Sequence, residues 1–150
     1  MKMINPLKRV VPFLFISMLF LSTQCDEDDI VADDFPCEFS VVVNQTEYDN
    51  LVSDNVTLVN AEISLDCLFL TISSSGCSGE NWTFNLIDSG AIAESSPEQR
   101  FLKFALNNDE ACLAVIDRTI SFDLKPLRIS NSNEIILNIE GLPDSLNYKY

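Results

Sequence analysis

Hydrophobic and polar residues alternate with a period of two along most of the chain after residue 36. This period places every second side chain on the same face of a β-strand. Trp82, Phe84 and Leu86 share a face in this way, so we expect all three in the core. The pattern predicts strands at residues 38–43, 56–65, 68–72, 82–86, 101–106, 113–124 and 135–139.

Residues that favour turns and helix starts lie between these strands. We expect a hairpin turn near Leu65 and Asp66, a serine- and glycine-rich loop at 73–79 and a longer loop at 88–97. Residues 95–104 begin with a capping residue, a proline and an acid, as a helix would, but their later apolar alternation favours a strand.

Short strands with turn signals about every 8 to 12 residues are typical of a β-sandwich. The sequence therefore predicts an all-β fold, a single antiparallel sandwich of seven or eight strands over residues 36–150. Immunoglobulin-like and Greek-key arrangements both fit this pattern. A short helical turn is expected within residues 45–55.

The first 24 residues have the pattern of a cleaved signal peptide. Lys2, Lys8 and Arg9 precede an apolar run of 12 residues at 10–21, and no acid occurs in this region. A membrane-spanning helix needs about 20 apolar residues, so this run is too short to be a transmembrane anchor.

The end of this segment resembles the lipobox of bacterial lipoproteins. Leu21 and Gln24 stand before Cys25, and the resemblance implies that Cys25 is lipidated on sulfur and becomes the first residue of the mature chain. An ordinary secretory signal that leaves Cys25 as a plain thiol is the alternative.

Residues 25–35 form an acidic segment that is predicted to remain a solvated tether. Its sequence resembles the signal that sends Bacteroidota lipoproteins to the outer face of the outer membrane; an anchor that faces the periplasm is the alternative. The candidate signal residues are Asp26, Glu27, Asp28 and Asp29.

Composition excludes several functions for this chain of 150 residues. It has no histidine, so a Ser-His-Asp triad, a Cys-His pair and an imidazole metal site are all excluded. Its 9 basic and 23 acidic side chains argue against nucleic acid as a partner. Loss of residues 1–24 leaves 6 basic against 23 acidic side chains, and changes the formal charge from −14 to about −17.

Four cysteines remain after Cys25, an even number that predicts two disulfides in an exported protein. Three pairings are open to them, and the sequence does not choose among them. We favour Cys37 with Cys67 and Cys77 with Cys112, since each bond would join a strand start to a neighbouring segment. The wide spacings argue against a zinc site.

Few residues offer a chemical site. Asn107, Asp109 and Glu110 supply oxygen ligands at a predicted hairpin tip and are weak calcium candidates, although the EF-hand pattern is absent. The serines at 73–75 lack the G-x-S-x-G pattern of a nucleophile elbow. No other metal site and no cofactor is expected.

Five segments carry a family resemblance, at residues 41–49, 66–68, 76–80, 108–112 and 122–128. Together they resemble a group of uncharacterised Bacteroidota lipoproteins. More loosely, the second half is similar to NigD-like lipoproteins with a C-terminal β-sandwich, which are associated with bacteriocin loci. The resemblance implies a location and a fold, but no established reaction.

We therefore expect a non-enzymatic protein, anchored by lipid at the outer membrane or cell surface, that binds a partner or supports an envelope assembly. The alternative is a bacteriocin-related immunity or inhibitor protein, whose acidic surface engages a cationic toxin by charge complementarity. An enzyme of another kind is the third interpretation.

Overall fold

The computed structural model describes residues 37–150. The predicted signal peptide, Cys25 and the acidic tether with Asp26, Glu27, Asp28 and Asp29 lie outside the described residues. The elements are β1 (Phe39–Ser40), β2 (Val42–Val43), α1 (Gln45–Asn50), β3 (Thr57–Ser64), β4 (Cys67–Gly76), β5 (Thr83–Ala93), β6 (Glu98–Asn107), β7 (Ala114–Asp123), a 3-10 turn (Lys125–Leu127), β8 (Glu134–Ile139) and β9 (Leu146–Lys149). None of the helices among these residues is long or apolar enough to cross a bilayer.

The strands form two packed sheets, which confirms the predicted all-β sandwich. One sheet has the order β1-β7-β4-β3 and the other the order β2-β5-β6-β8-β9. Four strand pairs are antiparallel, as predicted, and three pairs are parallel, β1 with β7, β2 with β5 and β6 with β8. Period-two alternation reports which face is buried but not the direction of the neighbouring strand.

The core lies between the sheets and follows the alternation of the sequence. Leu68, Leu70 and Ile72 of β4 are fully buried, and Trp82 is 5% exposed, as the pattern predicted. Four phenylalanine rings from both sheets contact one another at centroid distances of 5.6 to 6.3 Å, a normal range for aromatic pairs. These rings belong to Phe39, Phe84, Phe104 and Phe122.

The first predicted strand is divided between the two sheets. The N–H of Val41 donates to the backbone carbonyl of Asp123 in one sheet. The N–H of Asn44 donates to the backbone carbonyl of Asp88 in the other sheet. Between these bonds the chain crosses from one sheet to the other, and the side chain of Val41 is buried at the crossing. This division is one reason for nine described strands instead of seven or eight.

Two predicted loops are partly strand. Residues 73–76 complete β4, where Ser73 pairs with Asp117, and β5 continues through an irregularity after Asp88 to Ala93. Tertiary pairing supplies backbone partners to these polar residues and overrides their turn composition. The strand favoured within residues 95–104 is confirmed as β6, and the C-terminal strand β9 was not predicted.

Helix α1 confirms the helical turn expected within residues 45–55. The side chain of Asn44 caps it by accepting the N–H groups of Thr46 and Glu47. The following segment then reaches β6, where the Asp54 N–H donates to Leu106. It continues into β3, so it carries the chain from one sheet back to the other.

The sandwich has two ends, which we call the Cys37 pole and the Glu110 pole. At the Cys37 pole β4 begins and β7 ends, because Cys67 pairs with Asp123. At the Glu110 pole β4 ends and β7 begins, because Gly76 pairs with Ala114. The ten residues of β4 separate the poles by about 33 Å at about 3.3 Å per residue.

Candidate functional site

Two disulfides join neighbouring segments, one at each pole. Cys37 bonds Cys67 with a Cα separation of 5.7 Å, and Cys77 bonds Cys112 with a separation of 4.8 Å. Both separations lie in the normal range for disulfides. The pairing favoured from the sequence is therefore confirmed.

At the Glu110 pole, a carboxylate is surrounded by hydrogen-bond donors. Glu110 accepts the backbone N–H groups of Cys77 at 2.6 Å, Ser78 at 3.1 Å and Gly79 at 3.0 Å, together with the Ser78 hydroxyl. Gly79 has φ +72°, a conformation that glycine adopts at little cost. Consecutive amides that converge in this way form an anion-binding concavity, and Glu110 is its anion.

Glu110 is one of the weak calcium candidates, together with Asn107 and Asp109. In the structure its carboxylate faces the N–H groups of Cys77, Ser78 and Gly79. No group of three acidic or cysteine side chains that could hold a metal occurs among residues 37–150. The hydrogen bonds from the amides, led by that of Gly79, lower the pKa of Glu110.

Trp82 lies behind this loop. A Cβ atom built on Gly76 would lie 2.8 Å from its ring, so only glycine fits there without displacing the ring. The guanidinium of Arg118 donates to the Gly79 carbonyl and lies 5.6 Å from the centre of the Phe84 ring. The loop is therefore fixed from both sides.

An open cleft of about 400 Å³, which we call the edge cleft, lies near the Glu110 pole. It is lined by residues 53–58, by Glu140 and Gly141, and by Phe104 of the core. Along β6, the pairing with β8 ends at Leu102, and the segment before β3 contacts β6 at Leu106. Within the described part of the chain, the stretch of β6 between these two residues has no neighbouring strand on this side. The space beside Phe104 is left open between these contacts.

Two carboxylates line opposite walls of the edge cleft. Asp54 accepts the N–H of Asn108 at 2.8 Å. Glu140 lies 3.8 Å from the Lys103 ammonium, and its side chain remains 70% exposed. Contacts of this kind leave both acids accessible from the cleft.

A charged pair is buried within the sandwich. Arg100 donates to Asp88 at 2.8 Å, and Asp88 also accepts the N–H of Gly90. Burial raises the pKa of Asp88, although the Gly90 N–H and the guanidinium oppose this effect. One carboxylate oxygen of Asp88 and the Nε of Arg100 have no hydrogen-bond partner, so this pair stabilises the fold only weakly.

A hydrogen-bonded network lies at the Cys37 pole. The Tyr148 hydroxyl donates to Asp66 at 2.5 Å and accepts from the Nε of Arg128 at 3.0 Å, and Arg128 also pairs with Asp66. Burial, followed by the bond to Asp66, raises the pKa of Tyr148 to about 12. Burial acts to raise the pKa of Asp66, but its hydrogen bonds to Tyr148 and Arg128 lower it.

Solved structures of proteins from Bacteroides and Parabacteroides are similar to part of this chain. No family model and no curated protein matches the chain. A NigD-like immunity protein from Bacteroides caccae is 10% identical, with a TM-score of 0.53 over 74% of this chain and 64% of that one. The described sandwich shares its fold.

Two further structures have lower TM-scores. A protein of unknown function from Bacteroides vulgatus is 18% identical with a TM-score of 0.47, over 75% of this chain and 56% of that one. A protein described as toxin-related from Parabacteroides distasonis is 21% identical with a TM-score of 0.49, over 74% and 58%. The chain thus spans less than two thirds of the length of each.

The edge cleft was not predicted from the sequence. The Glu140-Gly141 pair is a turn signal, and Gly141 has φ +94°, but nothing in the sequence brings this turn to Asp54. For the buried pair of Asp88 and Arg100, the sequence contains a clearer signal. Asp88 has the strand parity of Phe84 and Leu86, which predicts a charge on the buried face of β5.

Proposed function

We propose that this protein is a non-enzymatic, lipid-anchored module of the cell envelope, at the outer membrane or cell surface, whose sandwich binds a cationic partner. The observation that carries the proposal is the charge of residues 37–150, which contain 17 acidic and 6 basic side chains, a formal charge of −11. A field of this sign attracts and orients cationic partners.

The three arginine side chains of this domain have partners within it. Arg100 is buried against Asp88, and Arg128 belongs to the network with Tyr148 and Asp66. Arg118 donates to the loop carbonyl of Gly79. Each of these two ion pairs removes one acid together with one base, so the remaining side chains keep the net formal charge of −11.

The acids whose pKa values are shifted have structural partners, which supports a binding role over catalysis. Asp88 is paired with Arg100, Glu110 with loop amides, and Asp66 with Tyr148. A catalytic acid or base needs a proton-transfer partner in a cleft, and these carboxylates are directed toward their own chain.

Export and anchoring are supported by the disulfides and the N-terminal sequence. Two disulfides favour an oxidising compartment outside the cytoplasm. Cys25 is the proposed lipidation residue. We expect Cys25→Ala to move the protein from the membrane to the soluble fraction after cell lysis and ultracentrifugation, and a variant that still sediments with membranes would contradict the anchor.

The binding proposal is tested with a cationic peptide and the full mature protein. We expect an octapeptide of alternating lysine and serine to bind, and the affinity to fall as salt is raised from 50 to about 300 mM, because charge complementarity is screened by salt. Absence of salt-sensitive binding would overturn the proposal. A glutamate and serine octapeptide is the matched control.

A bacteriocin-related immunity protein is the second candidate. It is supported by the fold shared with the NigD-like immunity protein and by the acidic surface, which suits a cationic toxin. A deletion strain should become more sensitive to bacteriocins of sister strains, and complementation should restore resistance. Unchanged sensitivity across such a panel would argue against this candidate.

A further inference from the structure

We propose that the edge cleft is the surface that binds the cationic partner, and that its ligand is an extended segment with basic and apolar side chains alternating along one face. This inference rests on the proposed function, since it assigns a place and a chemical class to the partner. It is argued from the lining of the cleft, the position of its acids and the charge of the domain.

The base of the cleft is apolar. Val56 and Leu58 are half-buried, and Phe104 belongs to the core. Leu58 lies beside Gly141, and a Cβ atom built on this glycine would be 3.4 Å from the Leu58 side chain. Burial of a ligand's apolar side chains here is therefore energetically favourable.

The rim of the cleft is acidic on both sides. Asp54 stands on one wall and Glu140 on the other. Glu140 holds Lys103 at 3.8 Å and remains 70% exposed, so an arriving ammonium or guanidinium can share its carboxylate. Side chains two residues apart lie on the same face of an extended segment. Basic side chains two residues before and after an apolar one can therefore reach the rim while the apolar one reaches the base.

The charge of the domain decides between a cationic partner and a second copy of this chain. Residues 37–150 carry a formal charge of −11, so two copies would repel each other, and Asp54 and Glu140 would face further acids. The same charge favours a basic ligand.

The test uses the full mature protein in nanodiscs of neutral lipid, with empty nanodiscs as the reference. The probes are an octapeptide that repeats Lys-Ser-Val-Ser, which places lysine and valine on one face when extended, and one that repeats Lys-Ser-Ser-Ser with the same charge. We expect the valine peptide to bind about tenfold more tightly, because only it buries apolar side chains. Equal affinities would overturn the assignment of an apolar subsite.

Two pairs of variants, each of which removes two negative charges, locate the binding surface. Asp54→Asn with Glu140→Gln should weaken binding of the valine peptide at least about tenfold, whereas Glu38→Gln with Glu94→Gln, the same charge change away from the cleft, should alter it less than about twofold. Asn55→Trp, which lines the cleft and changes no charge, should also block binding.

The outcomes separate this inference from the proposed function. If both pairs of variants weaken binding equally, the edge cleft is overturned while the general attraction of cations stands. If neither peptide shows salt-sensitive binding to the protein, the proposed function fails and the cleft assignment fails with it. Circular dichroism on each variant establishes that the fold is retained.

Discussion

The carboxylate of Glu110 accepts a 2.6 Å hydrogen bond from the N–H of Cys77, whose disulfide partner Cys112 lies two residues after Glu110. The two loops of this pole are thus joined twice, once covalently and once by a carboxylate. The disulfide holds the acid close to its donors, so little further ordering is needed to form the hydrogen bonds.

Glu110→Gln should lower the thermal midpoint of unfolding, because an amide is a weaker acceptor for loop amides than a carboxylate. Asp109→Asn is the control, since the neighbouring acid makes none of these bonds. The Trp82 fluorescence spectrum should change in the first variant, as the indole lies behind the loop. Identical midpoints in the two variants would contradict this role.

The same contact predicts a dependence on pH. The pKa of Glu110 is lower in the folded than in the unfolded chain. Its contribution to stability is therefore present above the unfolded pKa and is lost as the pH falls through the folded pKa. Urea denaturation of the wild type and of Glu110→Gln between pH 7 and pH 3 should converge toward the acidic end, and parallel curves would refute the linkage.

Removal of either disulfide should destabilise the domain by a similar amount. The bonds close segments with sequence separations of 30 and 35 residues, and loop-closure entropy gives about 2–4 kcal/mol for each. Urea denaturation of Cys37→Ser/Cys67→Ser and of Cys77→Ser/Cys112→Ser measures the losses. A loss below about 1 kcal/mol for either would contradict the prediction.

The buried pair of Asp88 and Arg100 should show strong coupling. Asp88→Ala leaves a buried guanidinium without its partner and should cost about 3–5 kcal/mol. The double variant Asp88→Leu/Arg100→Met should cost clearly less than the sum of its single changes. The control is Glu140→Gln in the exposed pair with Lys103, which should cost at most about 1 kcal/mol. If the losses of stability from the single changes at Asp88 and Arg100 simply add in the double variant, the prediction of coupling is wrong.

The raised pKa of Tyr148 predicts that the folded protein loses stability at alkaline pH. This pKa is raised from 10.0 to about 12 in the folded protein. The contribution is fully present below pH 10 and is lost as the pH rises toward 12, because the unfolded chain ionises first. Tyr148→Phe should be less stable at neutral pH by about 1.5–3 kcal/mol and show a flatter decline above pH 10. If the stability of Tyr148→Phe declines above pH 10 as steeply as that of the wild type, other groups cause the alkaline loss.

The faces of the strands could be predicted from the sequence. Alternation identified the buried side of β5 through Trp82, Phe84 and Leu86, and it favoured a strand over a helix for β6. Both results follow because burial of one face imposes a period of two whatever the neighbouring strand is. The predicted disulfides formed because each joins segments that strand pairing brings together.

Other features depended on contacts between distant parts of the chain. Val41 marks a change of sheet inside an uninterrupted apolar run, and residues 73–76 became strand because β7 supplied partners. Glu110 resembled a cation ligand in the sequence, yet the loop joined to it by the disulfide surrounds it with N–H donors. Hydrogen bonds between residues 31 to 33 positions apart leave no periodic signal.

By itself, the sequence determined the all-β class, the buried faces, the acidic charge and the even cysteine count, because composition and a period of two express these properties locally. The tertiary structure decided the parallel pairs, the acceptor role of Glu110 and the edge cleft with Asp54 and Glu140. Such features arise only when folding fixes which distant backbone donors, acceptors and side chains become neighbours.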